Sequence, residues 1–383
     1  MKLWRIILNT VIATALILSL DGCKKNAMPE EENKPAAEQP GGDEPGGDEP
    51  GGDEPGGDEP GGDEPGGDEP GGEDPGGDEP GGDEPDPEPR VISVPQPVTA
   101  SDGRTLKILA IGNSFSQDAA EQYLYELFKA SGQETVIGNM YIGGCTIDTH
   151  LGKANNGAKD YEYRKVVGGI KTNTPGKGLL EGIKDEDWDV ITVQQASGSS
   201  GIYSTYSHLN ELIAYVTTNA TNKDVTIVFH QTWAYSVNSS HAEYPKYNSN
   251  QMTMYNMICD AAEQMFRDCV SVAGIIPSGT AIQNGRTSYL GDSFNRDGYH
   301  LEVNYGRFTA ACTWFEALSG KEATTNTYKP ATVSDSQANV AKAAAHAACL
   351  KVVEVTELTD YKTPPTSDSL TLPSVGETDM GTI

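Results

Sequence analysis

Two short blocks of this sequence hold residues of the types and spacing needed for nucleophilic catalysis. Ser114 follows an apolar run and the pair Gly112-Asn113, and Asp297 and His300 stand three apart in Asn295-Arg296-Asp297-Gly298-Tyr299-His300. A serine hydroxyl is a poor nucleophile until a base takes its proton. His300 can be that base if its second ring nitrogen is held, and Asp297 reaches the same imidazole over one turn-like step. Attack on a carbonyl builds charge on oxygen, which calls for N–H donors close by. The candidates are the backbone N–H groups of Ser114 and Gly144 and a side-chain amide at Gln194. Gln194 continues the face of Val190 and Thr192, whereas strand alternation sends Gln195 to the opposite face; both stay open as candidates. Asn113, Gln195, His230, Trp233 and Arg296 are candidates for substrate contacts. Each residue also has a plainer use: Ser114 as a helix cap, Asp297 as a turn residue before Gly298, His230 as a satisfied buried histidine, Trp233 and Tyr235 as packing aromatics.

The elements that must position these residues alternate along the chain. Apolar runs predict strands at Leu106–Ile111, Thr135–Ile142, Trp188–Val193, Val225–His230 and Val270–Ala273. Helical spacing covers Asp118–Ser131, Leu179–Lys184, Ser204–Thr217, Tyr247–Arg267, Tyr305–Leu318 and Val340–Val353. Short buried strands alternating with helices imply an α/β fold, a three-layer α/β/α sandwich on a mostly parallel five-stranded sheet. In such a sheet the ligand crevice lies beyond the carboxyl ends of the strands. Gly112–Ser116, Gly143–Cys145, Gln194-Gln195 and His230–Trp233 all fall at those ends. The segment Asp160–Lys177, rich in Gly, Thr and Tyr, fits no helix and reads as an inserted hairpin.

Gly112-Asn113-Ser114, Gly143-Gly144 and Asp297-x-x-His300 together resemble the SGNH hydrolases of the GDSL esterase and lipase superfamily, most closely an SGNH-like family of unknown function common in glycan-degrading Gram-negative bacteria. Two departures stand out: Asn113 replaces the family's aspartate, and Gln194-Gln195 replaces the Gly-x-Asn-Asp block, as in some glycan-acetylesterase branches. The resemblance spans most of residues 106–319 and implies a flavodoxin-like sandwich with Ser114, Asp297 and His300 as catalytic triad. It implies an oxyanion hole of Ser114, Gly144 and Gln194. The α/β-hydrolase elbow Gly-x-Ser-x-Gly is absent, because position 116 is serine.

The 383 residues divide unevenly. Residues 41–85 are nine tandem pentads, GGDEP throughout except GGEDP at 71–75. With no aromatic and no aliphatic side chain in them, nothing offsets the entropy of ordering, so residues 24–97 read as a disordered acidic tether and residues 98–357 as the folded body, followed by a tail at 358–383. Residues 24–90 carry 24 acidic and four basic residues of a chain with net charge −29. Neither part has the basic stripe that phosphate backbones require, so nucleic acid is excluded as a partner.

Residues 1–23 combine Lys2 and Arg5 with the apolar run Ile6–Leu20, too short for a comfortable membrane span, and read as an export signal. Leu20-Asp21-Gly22-Cys23 resembles the lipobox of bacterial lipoproteins, which implies a lipid anchor on Cys23 and attachment at the outer membrane or cell surface. Five further cysteines, Cys145, Cys259, Cys269, Cys312 and Cys349, leave at least one free thiol. No Cys-x-x-Cys, His-x-x-x-His or His-Glu-x-x-His spacing occurs, so no metal or other cofactor is expected.

Two function classes remain. One is a surface-tethered serine esterase acting on an acylated glycan or other small ester. The other is a non-catalytic glycan-binding or scaffolding lipoprotein that retains the fold, suggested by Asn113 and the missing Gly-x-Asn-Asp block.

Overall fold

A computed structural model describes residues 90–366. Its centre is β1 (Thr105–Gly112), flanked in parallel by β2 (Glu134–Tyr141) on one side and β5 (Val190–Val193) on the other. The antiparallel hairpin β3 (Tyr161–Val167) and β4 (Ile170–Lys177) extends the β2 edge. The parallel strands β6 (Thr226–His230) and β7 (Ile275–Ile276) extend the other, giving the order β4-β3-β2-β1-β5-β6-β7. The expected hairpin is present, so the sheet has seven strands rather than five. The fifth expected strand is displaced: β7 is the two residues that pair with Phe229 and His230, and Val270–Ala273 is loop.

Alternation along β1 builds the layers. Leu106, Ile108 and Ala110 pack on one face against Phe115, Phe128 and Trp314, while Leu109 and Ile111 pack on the other against Met140, Trp188 and Phe229. The first face is covered by α1 (Ser114–Ala120), α2 (Leu124–Ala130), α7 (Ser278–Arg286), α8 (Tyr305–Ser319) and α9 (Asp335–Leu350). The second is covered by α3 (Ile147–Asn156), α4 (Leu179–Ile183) and α5 (Leu209–Asn219), and α6 (Gln251–Asp268) feeds residues to both cores. The expected helix Asp118–Ser131 is two helices, broken where Glu121 turns inward to accept from Asn139 at 2.6 Å and meet Lys171 at 2.6 Å.

The packed region is longer at both ends than expected. Arg90 donates to the carbonyls of Phe266, Cys269 and Val272 at 2.7, 3.0 and 2.6 Å, and Ser93 accepts from Ile275 N at 2.9 Å. The body therefore starts by residue 90 rather than 98. At the other end Leu358 is buried and Tyr289 N donates to Tyr361 O at 2.8 Å, so packing runs past 357. The export signal with Cys23, residues 24–89 and the end of the tail lie outside the described residues. All five described cysteines are free, and burial raises each thiol above its ordinary value. No helix of the described residues is long and apolar enough to cross a membrane.

Candidate active site

Ser114 opens α1 directly after β1. Asn113 caps that helix: its Oδ1 accepts from Phe115 N at 3.0 Å, and its Nδ2 donates to Cys145 O at 3.1 Å, tying the Ser114 turn to the Gly143-Gly144 loop. Gly112 is required by crowding, not by an unusual φ: a Cβ there would lie 2.6 Å from Ser116 Oγ and 2.9 Å from Gln194 Oε1. Gly144 has φ +64°, the left-handed region that a side chain disfavours. Among the described residues, neither the Ser114 nor the Gly144 backbone N–H has a hydrogen-bond acceptor.

The second block is a closed loop. Asn295 and Leu301 form an antiparallel bridge at its base, and Arg296 N donates to His300 O at 3.0 Å. Within it Asp297 Oδ1 accepts from the backbone N–H of His300 at 2.8 Å and of Tyr299 at 3.2 Å. Its Oδ2 lies 2.7 Å from His300 Nδ1, the contact that fixes an imidazole's tautomer and leaves Nε2 as the base. Partial burial works to raise the Asp297 carboxyl, but the His300 ring and the two N–H donors outweigh it and hold the group below its ordinary value.

Asn113, Ser114, Phe115, Tyr141, Gly143, Gly144, Ser197, His241, Tyr299 and His300 line one cavity of about 300 Å³. Serine, the aspartate-held histidine and the glycine loop thus meet in one place. The Ser114 hydroxyl makes no hydrogen bond among the described residues, so the serine–histidine contact is open while the histidine–aspartate contact is made. Catalytic contacts of this kind commonly close only around substrate.

The remaining expected residues are placed elsewhere. Gln194 is buried behind Asn113: its amide donates to Asn113 Oδ1 at 2.9 Å and its Oε1 lies 3.0 Å from His230 Nδ1. It supports the Ser114 turn instead of lining the cavity. Gln195 is buried too, donating to Thr205 O at 2.8 Å and accepting from Ile147 N at 3.1 Å, which seats α3. His230 is the satisfied buried histidine, driven by burial down to about 3. Trp233 is fully buried, stacked on Phe115 at 4.3 Å and donating to Tyr299 O at 2.8 Å. Arg296 faces Asp118, not the cavity lining, at 3.0 Å.

His241, which no motif of the sequence marks, lines the cavity beside Tyr299, ring centroids 4.7 Å apart. Its Nδ1 accepts from Glu243 N at 3.1 Å, so the neutral ring carries its proton on Nε2. Burial lowers it below the ordinary histidine value, His300 adds to that, and Glu243 and Asp297 oppose it. Tyr141 belongs to the carboxyl end of β2, where the crevice rule already pointed. Among the described residues no group of three or more His, Cys, Asp or Glu side chains could hold a metal ion.

A search of curated proteins found no match. Among solved structures, the chain is similar to a DUF4886 family protein from Bacteroides uniformis, with 50% identity, 67% of this chain and 100% of that one covered, and a TM-score of 0.66. It is more distantly similar to a putative SGNH hydrolase from Slackia heliotrinireducens, at 20% identity over 56% of this chain and 99% of that one, TM-score 0.39. An acetyl-xylooligosaccharide esterase from Geobacillus is similar at 11% identity over 58% and 94%, TM-score 0.37. Residues 107–348 match the family described as a domain of unknown function, DUF4886, and with half-identity to one of its solved members this chain belongs to that family.

Proposed function

We propose that this chain is a serine esterase that removes O-acyl groups, acetyl above all, from a carbohydrate. The observation that carries the reading is one cavity lined by both Ser114 and the Asp297-held His300. In the acylation step the Ser114 hydroxyl attacks the ester carbonyl as His300 Nε2 takes its proton. The N–H groups of Ser114 and Gly144 receive the oxyanion, Asp297 steadies the imidazolium, and the proton passes to the leaving alcohol. Water then repeats the sequence on the acyl-serine. The small cavity and the rings of Tyr141, Tyr299 and His241 suit a short acyl group on a sugar. The test is turnover of a chromogenic acetate with and without a serine-reactive fluorophosphonate. Turnover and labelling at Ser114 are expected. A folded chain showing neither refutes the esterase and leaves the non-catalytic glycan-binding lipoprotein.

The reading includes export and a lipid anchor at Cys23, with the enzyme held at the outer membrane or cell surface. Cys23→Ser is expected to abolish incorporation of labelled palmitate and move the protein from the membrane fraction to the soluble one. Unchanged partition would count against the lipid.

A further inference from the structure

Asp118 lies on α1 four residues after Ser114, and its side chain has 0% exposure. A carboxylate so enclosed must be compensated. Its Oδ1 accepts from Arg307 Nε at 2.9 Å and lies 2.7 Å from Arg307 Nη2, a two-pronged contact from the first turn of α8. Its Oδ2 accepts from Leu301 N at 2.8 Å and from Arg296 Nη1 at 3.0 Å, both on the loop of Asp297 and His300. Arg296 also donates to the Leu301 carbonyl. One acid on the nucleophile's helix therefore grips the loop that carries the base.

Arg296 has a second carboxylate in reach. Its Nε is 4.0 Å from Asp297 Oδ2, the same oxygen that holds His300 Nδ1 at 2.7 Å. Two acids thus compete for one guanidinium, and the short contact goes to Asp118. A guanidinium released from Asp118 has Asp297 as its nearest anion, and a paired Arg–carboxylate contact is strong enough to turn that oxygen away from an imidazole. The other titratable groups about His300 are Tyr299, its ring centroid 4.1 Å away, Tyr141, which lines the same cavity, and His241 with Glu243 behind it.

We propose that Asp118 is a positioning residue that keeps Arg296 off Asp297, leaving Asp297 Oδ2 to orient His300 towards Ser114. The inference rests on the esterase reading for its kinetic test and stands apart from it in a spectroscopic one. Asp118→Asn, Arg296→Gln and the double variant are compared for kcat and KM on a chromogenic acetate, and by NMR for the downfield His300 Nδ1 proton. Asp118→Asn is expected to lose the downfield proton and to lower kcat by about ten- to a hundredfold with KM nearly unchanged, the scale typical of partners that orient a working ligand. Arg296→Gln alone is expected to stay within about threefold of the parent, and adding it to Asp118→Asn is expected to restore both kcat and the proton signal. A double variant no better than Asp118→Asn overturns the proposal, and so does one that regains the parent melting profile without regaining kcat and the proton signal, since that is relief of an unpaired charge alone. If Asp118→Asn does not fold, Asp118→Glu and Arg296→Gln carry the test. Each keeps Arg296 from Asp297, one by retaining the acid and the other by removing the base. Loss of the His300 proton signal in either overturns the proposal. A parent chain without turnover counts against the esterase alone, because the proton signal reports on Asp118 regardless.

Discussion

Ser114→Ala and His300→Ala are each expected to lower turnover of a chromogenic acetate by about 10³–10⁴-fold or more, and the double variant is expected to be scarcely worse. The non-additivity follows from the chemistry: once the serine hydroxyl is gone the base has no proton to take, and once the base is gone the hydroxyl stays weak. Asp297→Asn is expected to fall between these variants and the parent. Its side chain keeps the shape of the loop, but an amide presents a donor to Nδ1 and selects the wrong tautomer. Asp297 is 40% exposed, so solvent reaches the pair and softens the loss. Stability separates chemistry from unfolding. The Ser114 hydroxyl has no native hydrogen bond among the described residues to lose, so Ser114→Ala is expected to keep the parent melting profile. His300→Ala loses the contact to Asp297 and its packing on Tyr299 at 4.1 Å, which costs about 1 kcal/mol. Parent-level turnover from a folded Ser114→Ala protein would falsify the serine mechanism.

Much of this site could be read in the sequence because its parts sit where local rules are strong. Apart from Lys107 at its start, Leu106–Ile111 is apolar on both faces, so a central strand suits it, and the residue that follows such a strand in a parallel sheet faces the crevice. The spacing of Asp297 and His300 is a local device: an Asx turn closes over two backbone N–H groups and delivers the carboxylate to the ring. What escaped the sequence depends on distant partners. Strand alternation named a face for Gln194 but could not show that Asn113 would take its amide. His241 lies in a stretch with no hydrophobic period, and the rings of Tyr235 and Tyr299, both 4.7 Å from it, place it at the cavity. α7 was missed because it is buried all round and carries Thr280, Gln283 and Arg286 inward, each with internal partners, so no apolar stripe marks it. β7 is two residues long, paired with β6 on one side and bonded from Ile275 N to Ser93 O on the other, both distant partners in sequence.

Acid is expected to unfold this protein through two buried histidines before most of its carboxylates titrate. Burial holds His150 at about 3, with Lys153 adding to the effect, and burial holds His230 at about 3. The folded state keeps both rings neutral. His150 Nδ1 meets Tyr161 Oη at 2.9 Å, and His230 stands between Gln194 and Ser278 at 3.0 Å from each. In the unfolded chain each takes a proton near the ordinary value of 6.5. Between 6.5 and about 3 the unfolded chain therefore binds up to two protons more than the folded one, so stability rises with pH and is lost on acidification. Each histidine contributes a slope of about 1.4 kcal/mol per pH unit once its unfolded form is fully protonated. Together they remove several kcal/mol by about pH 4.5, a large part of the roughly 5–15 kcal/mol that holds a typical domain. His208, drawn up by its hydrogen bond to Asp148, has the opposite sign but is solvated at the surface, whereas His241, lowered by burial, adds in the same direction. The effect on the site is specific: protonating His230 disturbs the buried chain from Ser278 through Gln194 to Asn113, the residue that caps the Ser114 helix. The check is urea unfolding from pH 7 to 4.5 on the parent and on His150→Phe. The variant keeps a ring against Tyr161 and loses one hydrogen bond, but it also removes Nε2, which is buried without a partner, so at pH 7 it is expected to stay within about 1 kcal/mol of the parent. Its stability should then fall with acid about 1.4 kcal/mol per pH unit less steeply than the parent's. A parent stability that stays flat between pH 6.5 and 4.5 would show that these rings take up protons in the folded state.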